Sequence, residues 1–426
     1  MSITLLALFL LLSALGVPLA IGLGLASVAS IMMFTSTPLT LLSDSMFSAM
    51  NSFLLVAVPL FLLVGQLMER GGVADRIFDF ANAAVGWLPG GMGHVNVASS
   101  VVFGGISGSS VADIASLGAV EINAMVKHGY AKGYAVGMTL ATSTLSSIIP
   151  PSILMVIAGS IANESIGLLL LAGLIPGLFI AGALMVYNHF YSVRMGVGKP
   201  VRFDMQRFMR AGFRALLPML TPVILMIGIL DGFFTPTEAA AIAVVYTFFI
   251  AAFVCRELKW TDLAPMLIQT ARVSGGILFI AATAKLAAWV FAYDGLPAQV
   301  GNWLSSVTTS PLLIMVLIFL FLILVGMFMD AIAAMFILIP VLMPPAVAMG
   351  VDPIHFLVIT VITLTLGLVT PPVGVCLFAV AKVADMSIED VIKGSVGPVT
   401  ILLVAISLLV IFPALVVGPL QLLGMY

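Results

Sequence analysis

Residues 3–34 are almost continuously apolar, broken only at Gly16 and Pro18, and read as one long helix or two short ones. Further apolar runs occupy 50–68, 133–158, 168–190, 213–232, 237–255, 273–291, 354–380 and 397–418. Each comes near the roughly 20 residues that cross about 30 Å of hydrocarbon as a helix. Two stretches break this rhythm. Residues 92–126 place GGISGSS in the middle of an apolar run, and residues 311–349 place GMFMD between two apolar arms. Each pattern predicts a re-entrant helical hairpin whose tip lies at membrane depth. The short alternating segments of a β-barrel are missing from the pattern. The expected fold class is therefore an all-α polytopic membrane protein, with about ten transmembrane helices and two re-entrant hairpins.

Composition agrees with the pattern. Of the 426 residues, 62% are hydrophobic and only 8% charged, and the mean hydropathy is +1.26. A soluble surface of this size needs far more charge. The net charge of −2 gives nothing for nucleic acid to bind. Cys255 and Cys376 both lie in apolar runs and read as small core residues. The first segment lacks a basic start and a small-residue cleavage site, so it reads as a retained helix.

Basic residues orient the chain, because Lys and Arg crowd the cytoplasmic side. Segment 190–214 carries six of the sixteen: Arg194, Lys199, Arg202, Arg207, Arg210 and Arg214. With that segment inside, counting spans places Arg70, Arg76, Lys127, Lys132, Arg256, Lys259, Arg272, Lys382 and Lys393 inside as well. Only Lys285 is left over. Loops 35–45, 159–167, 233–236 and 292–310 fall outside and contain no Lys or Arg. The count closes only if both odd stretches return to the side they left.

The two halves also resemble each other. A shift of 221 positions carries Gly129 onto Gly350, and Thr139, Thr142, Thr144 and Leu145 onto Thr360, Thr363, Thr365 and Leu366. The same shift carries Pro150 and Pro151 onto Pro371 and Pro372, while Asp113 reaches Asp330 only with a four-residue gap. By the charge count the first hairpin opens from inside and the second from outside, which predicts inverted repeats, the architecture of many secondary transporters. The expected division is a scaffold at 1–49, a first repeat at 50–190, a basic loop with scaffold helices at 191–255, and a second repeat at 256–426. Proline supplies no N–H and clashes with the preceding turn, so helices should break near Pro150 and Pro371. The freed carbonyls cannot face lipid. They, and the hydroxyls of Thr142, Ser143, Thr144, Ser146 and Ser147 in one half and Thr363, Thr365 and Thr370 in the other, suit Na⁺. Amide groups and helix N-termini at the hairpin tips suit an anionic substrate group.

Six stretches in this order resemble the large membrane subunit of the tripartite ATP-independent periplasmic (TRAP) transporters, the DctM-like family. They are SFLLVAVPLFLLVGQLME (52–69), FGGISGSSVADIASLG (103–118), IIPPSI (148–153), AGLIPG (172–177), GMFMDAIAAMFILIPVLMP (326–344) and GLVTPPVG (367–374). The resemblance covers essentially the whole chain. It implies a non-enzymatic, Na⁺-driven permease of the bacterial inner membrane that works as an elevator. Implied partners are a small four-helix DctQ-like membrane subunit, a periplasmic DctP-like solute-binding protein and a carboxylate substrate, such as a C4-dicarboxylate or sugar acid. No GxxxxGK[ST] stretch is present to hold nucleotide phosphates. Two departures stand out. Thr363 occupies a position where the family often carries Asn, and Thr142, Ser143 and Ser146 partly replace small glycines. Alternatives are a stand-alone secondary anion carrier and a membrane scaffold without transport.

The candidate substrate residues are Ser107, Ser109, Ser110, Thr144, Thr365 and Thr370. The candidate Na⁺ ligands are Ser109, Ser110, Thr142, Ser143, Gly326, Asp330, Thr363 and Gly367. Asp113 and Asp330 each precede a helical run, as N-caps or as cation or gating groups. Lys285 is expected to snorkel outward or pair with Asp294; attraction of an anion or contact with the small subunit is the alternative. Glu121 reads as a pairing group near His128 and Lys127. The four histidines form no metal motif, and Trp87, Trp260, Trp289 and Trp303 read as interface anchors. Residues 71–90 and 256–272 are expected to be arm helices lying along the membrane.

Overall fold

A computed structural model describes residues 1–425, and among them every regular element is helical. Seven helices are long and apolar enough to cross a bilayer among the described residues, or eight if the bent pair Leu296–Val307 and Pro311–Gly326 is one span. The lower figure than the expected ten has a physical cause. Prolines and glycines divide several crossings into pieces too short to span alone. Ser2–Ala14 and Leu19–Phe34 are separate helices, parted where Gly16 takes φ +82° and Pro18 precedes the second. They fold back on each other, with the Ser30 hydroxyl donating to the Met1 carbonyl at 2.9 Å.

The first odd stretch is a hairpin of Gly91–Ser107 against Ser110–Ser116 and Gly118–Lys127. Both its ends meet one loop residue of the basic segment. The Gly90 N–H donates to the Gly198 carbonyl (2.8 Å), and the Gly198 N–H donates to the His128 carbonyl (3.3 Å). The second hairpin is Pro311–Gly326 against Ala331–Ala348, and its ends also meet, since a Cβ on Gly350 would lie 3.5 Å from Pro311 Cγ. Each hairpin is followed by a helix that stops at a Pro-Pro pair and resumes. Lys132–Ser143 tightens into a turn at Thr144–Ser147 and restarts as Ile153–Ala162, and Pro353–Leu368 restarts as Val375–Ala384.

Local signals recur at nearly constant offset. Gly129 and Gly350 take φ +89° and +90°. Asn163 and Asp385 end their helices in the left-handed conformation, and Ser165 and Ser387 cap the helices that follow. The pairing that required a gap is corrected here. Ser109, not Asp113, corresponds to Asp330: both are N-caps of the returning arm, with Ser109 Oγ accepting from Ala112 N–H and Asp330 Oδ1 from Ile332 N–H.

Two other expectations need revision. The proposed arm 256–272 forms the first part of one helix, Trp260–Tyr293, whose 34 residues span about 51 Å. That exceeds the hydrocarbon thickness, so its polar start stands clear of the core. The element that matches the arm Val73–Val85 is instead Leu296–Val307, which meets the second hairpin at 119°. The last span begins at Ile388, not 397, because Ser387 caps it before Glu389, Asp390 and Lys393, whose charges mask the helix from a hydropathy reading. It ends at Ile411, and Ala414–Leu422 follows beyond Pro413.

The two broken helices occupy the centre, and every residue from Ile354 to Leu368 is buried. The halves are interlocked. Each hairpin's first helix packs on the broken helix of its own half. Each returning arm packs across on the restarted helix of the other half: Ser110–Ser116 on Val375–Ala384, and Ala331–Ala348 on Ile153–Ala162.

Candidate functional site

The first hairpin tip is driven into the first helix break. Gly108 turns at φ +60°, where a Cβ would lie 2.9 Å from the Pro151 carbonyl oxygen, so the tip needs glycine's freedom. Below it, a Cβ on Gly104 would lie 2.6 Å from Ser146 Cα. This close approach brings the Ser110 N–H to Ser147 Oγ (3.0 Å) and the two hydroxyls to 2.8 Å. Ser152 donates back to the Ser147 carbonyl and caps the restarted helix, its Oγ accepting from Met155 N–H at 3.3 Å. The peptide bond between Pro150 and Pro151 is cis, as is that between Pro371 and Pro372.

The second tip repeats the arrangement. A Cβ on Gly367 would overlap the Gly326 backbone, so two glycines allow main chain to lie on main chain. The Val373 N–H beyond the prolines donates to the Met327 carbonyl at 3.3 Å.

Ser109, Ser110, Gly326, Gly367 and Asp330 are thus at the tips and breaks. Ser107 and Thr363 add buried hydroxyls with no hydrogen-bond partner among the described residues. The hydroxyl protons of the remaining candidates have acceptors within the protein. Ser143, Thr144, Thr365 and Thr370 donate to Leu140, Ala141, Val361 and Leu366 carbonyls within their own turns. The Thr142 hydroxyl donates to Asn96 Oδ1 at 2.6 Å, with the Thr139 carbonyl at 3.2 Å as its second acceptor.

The fold reveals a polar seam inside the first hairpin that the chain order conceals. Asn96 donates to the Thr139 hydroxyl (2.6 Å), and Ser100 donates to Asp113 Oδ2 (2.8 Å). The Ser99 hydroxyl donates to Glu121 Oε1. Asp113 therefore does not cap; it is buried, with Oδ1 unpartnered. Glu121 is likewise buried with Oε2 unpartnered, facing the hairpin interior rather than Lys127 or His128. The legible signal was the spacing of Asn96, Ser99 and Ser100, which share one helix face.

Lys285 does not pair with Asp294. That carboxylate accepts the Ser2 N–H (2.8 Å) and lies 3.5 Å from the Met1 amino group. The Ser2 amide, with the ammonium behind it, holds the Asp294 carboxyl below the usual carboxylate range. No three His, Cys, Asp or Glu side chains converge among the described residues. The groups at the tips are hydroxyls, amides and carbonyls, with the Asp330 carboxylate capping the second returning arm.

Comparison with known proteins agrees with this geometry. Residues 6–415 match the family model of the tripartite ATP-independent periplasmic transporter, DctM component. The chain is 34% identical over 398 residues to the sialic acid TRAP transporter large permease protein SiaM of Vibrio cholerae, covering 93% of each chain. It is 35% identical to the C4-dicarboxylate TRAP transporter large permease protein DctM of Pseudomonas aeruginosa, covering 92% of each. The crystal structure of the Alcanivorax borkumensis YdaH transporter has the same fold, with TM-score 0.59 and 16% identity over 88% of each chain.

Proposed function

The chain belongs to the DctM family of tripartite ATP-independent periplasmic transporters, as a large permease component of the bacterial inner membrane and not an enzyme; from this we propose that it takes up an organic acid by Na⁺-coupled elevator movement. The observation that carries the reading is the interlock described above. Each hairpin tip rests on the break of its own half, and each returning arm packs on the restarted helix of the other half. Two such junctions give a central body that can move as a unit. Hydroxyl and carbonyl oxygens at the breaks suit Na⁺, and amide groups at the tips suit a carboxylate.

In this reading residues 50–190 and 256–426 are inverted repeats, with both hairpins re-entrant. The moving body holds the hairpins and the broken helices. Ile166–Met195 and Ile388–Ile411 travel with it, because Gly93 abuts Asn188 and Gly137 abuts Gly394 too closely for sliding. Segment 1–49 and the helices from Met205 to Cys255, with Phe53–Arg70 and Trp260–Tyr293, form the scaffold. A DctQ-like four-helix subunit extends that scaffold in the bilayer, and a DctP-like periplasmic protein delivers the solute. Sialic acid and C4-dicarboxylates, named for the two relatives above, are both carboxylates, and the same class is proposed here. Ser107 and Thr363, buried and unpartnered, are the leading Na⁺-site hydroxyls.

The test is uptake into liposomes holding this chain and its small subunit, with candidate binding proteins supplied outside. Accumulation should require both an inward Na⁺ gradient and the cognate binding protein. Equal uptake without the Na⁺ gradient would remove the coupling, and equal uptake without the binding protein would favour a stand-alone carrier.

A further inference from the structure

Lys285 is the basic residue that the inward count cannot place, and the fold gives it no acid. Among the described residues the ion pairs are Met1–Asp294, Arg70–Asp262 and Lys393–Asp390, and none involves Lys285. Lys285 is exposed, and an ammonium on an apolar helix without a counter-charge reaches for water or serves a ligand or a partner. Lys285 stands about two turns before the outer end of Trp260–Tyr293. It lines a cavity of about 310 Å³. Three parts of the molecule build the walls. Ser48 and Ser52 come from the corner preceding the span that ends at Arg70. Ser160 and Asn163 come from the end of the first restarted helix. Phe336 and Pro340 come from the second hairpin's returning arm.

The charge balance of this cavity decides its chemistry. Lys285 is its one charged lining residue, and every other polar lining group is a neutral hydroxyl or amide. A cation would be repelled, and an uncharged solute would leave the ammonium unmatched. A small organic anion satisfies all of it: the carboxylate takes the ammonium, and the hydroxyls and amide take the solute's other oxygens. The volume sits at the small end of ligand pockets, about 300–1,000 Å³.

We propose that Lys285 and this cavity form an outer carboxylate-binding site, distinct from the junctions at the hairpin tips. The proposal rests on the transporter reading above. Lys285 belongs to the scaffold, while Phe336, Pro340, Ser160 and Asn163 belong to the moving body. A bound anion therefore bridges the two bodies on the outer side. It must leave the ammonium before the second hairpin can travel, which makes this a holding site for newly delivered solute.

Lys285→Gln, Lys285→Arg and wild-type chains are compared in the complete reconstituted transporter, with succinate, L-malate and N-acetylneuraminate as probes. For each probe that wild type carries, Lys285→Gln should raise KM about tenfold. Vmax and the half-saturating Na⁺ should stay near wild type, and Lys285→Arg should restore most of the affinity. Assembly with the small subunit, followed by co-purification, checks that the variants fold. An unchanged KM in an assembled Lys285→Gln chain overturns the site alone. So does a loss of assembly in Lys285→Gln that Lys285→Arg rescues, since that assigns the charge to the subunit contact. Wild-type failure on all three probes overturns the site together with the organic-acid reading.

Discussion

Thr363 and Thr365 are two residues apart on one buried helix, and the difference between them is a difference in partners. The Thr365 hydroxyl donates to the Val361 carbonyl at 2.8 Å, whereas the Thr363 hydroxyl is buried with nothing to bond. An unmatched buried hydroxyl costs about 1–3 kcal/mol, which an ion at the break can offset. Thr363→Ala should therefore leave expression and assembly intact while raising the half-saturating Na⁺ for uptake by about tenfold. Thr365→Ala should leave the Na⁺ dependence near wild type. No rise from Thr363→Ala, or an equal rise from Thr365→Ala, would overturn this assignment. The kinds of side chain at the breaks were readable in TLTLGLVTPPVG, but their directions were not. Thr142 reads as a candidate ligand beside the break, and its hydroxyl proton goes to Asn96, 46 residues away. A contact across that separation leaves no periodic mark in the chain.

Elements were more legible than side chains, because apolar length and Pro-Pro breaks act locally. Failures occurred where charge or length interfered: the start of the last span lies among Glu389, Asp390 and Lys393, and the arm 256–272 is absorbed into a helix longer than the bilayer. The glycines at the junctions were visible as a composition but not as contacts. Their role gives a sharp comparison. A methyl group on Gly367 has no room above Gly326, and overpacking of this kind costs about 1–3 kcal/mol. Gly367→Ala should lower the melting temperature in detergent and abolish most uptake. Gly182→Ala meets nothing within 4 Å on its helix and should be neutral, or stabilising by up to about 1 kcal/mol. If both behave alike, the second tip is not seated on its break.

At the scale of the whole molecule, the one-sided distribution of Lys and Arg is the sequence feature from which the inverted disposition of the halves is proposed, since it constrains every crossing at once. It could not reveal which surfaces slide, because sliding depends on how closely backbones approach. Gly65, on the helix proposed as scaffold, tests the proposed sliding: a Cβ there would lie 3.5 Å from Ser107 Cα at the first hairpin tip. Elevator movement must part these two residues, whereas rocking of small gates around a fixed centre need not. A Gly65→Cys, Ser107→Cys pair, built after Cys255 and Cys376 are replaced, is close enough to bond. Oxidation should then stop uptake, and a reductant should restore what the reduced pair allows. Full uptake with the bond formed would mean that the first tip and the Phe53–Arg70 span stay together through the cycle, and the moving body would have to be redrawn to include that span.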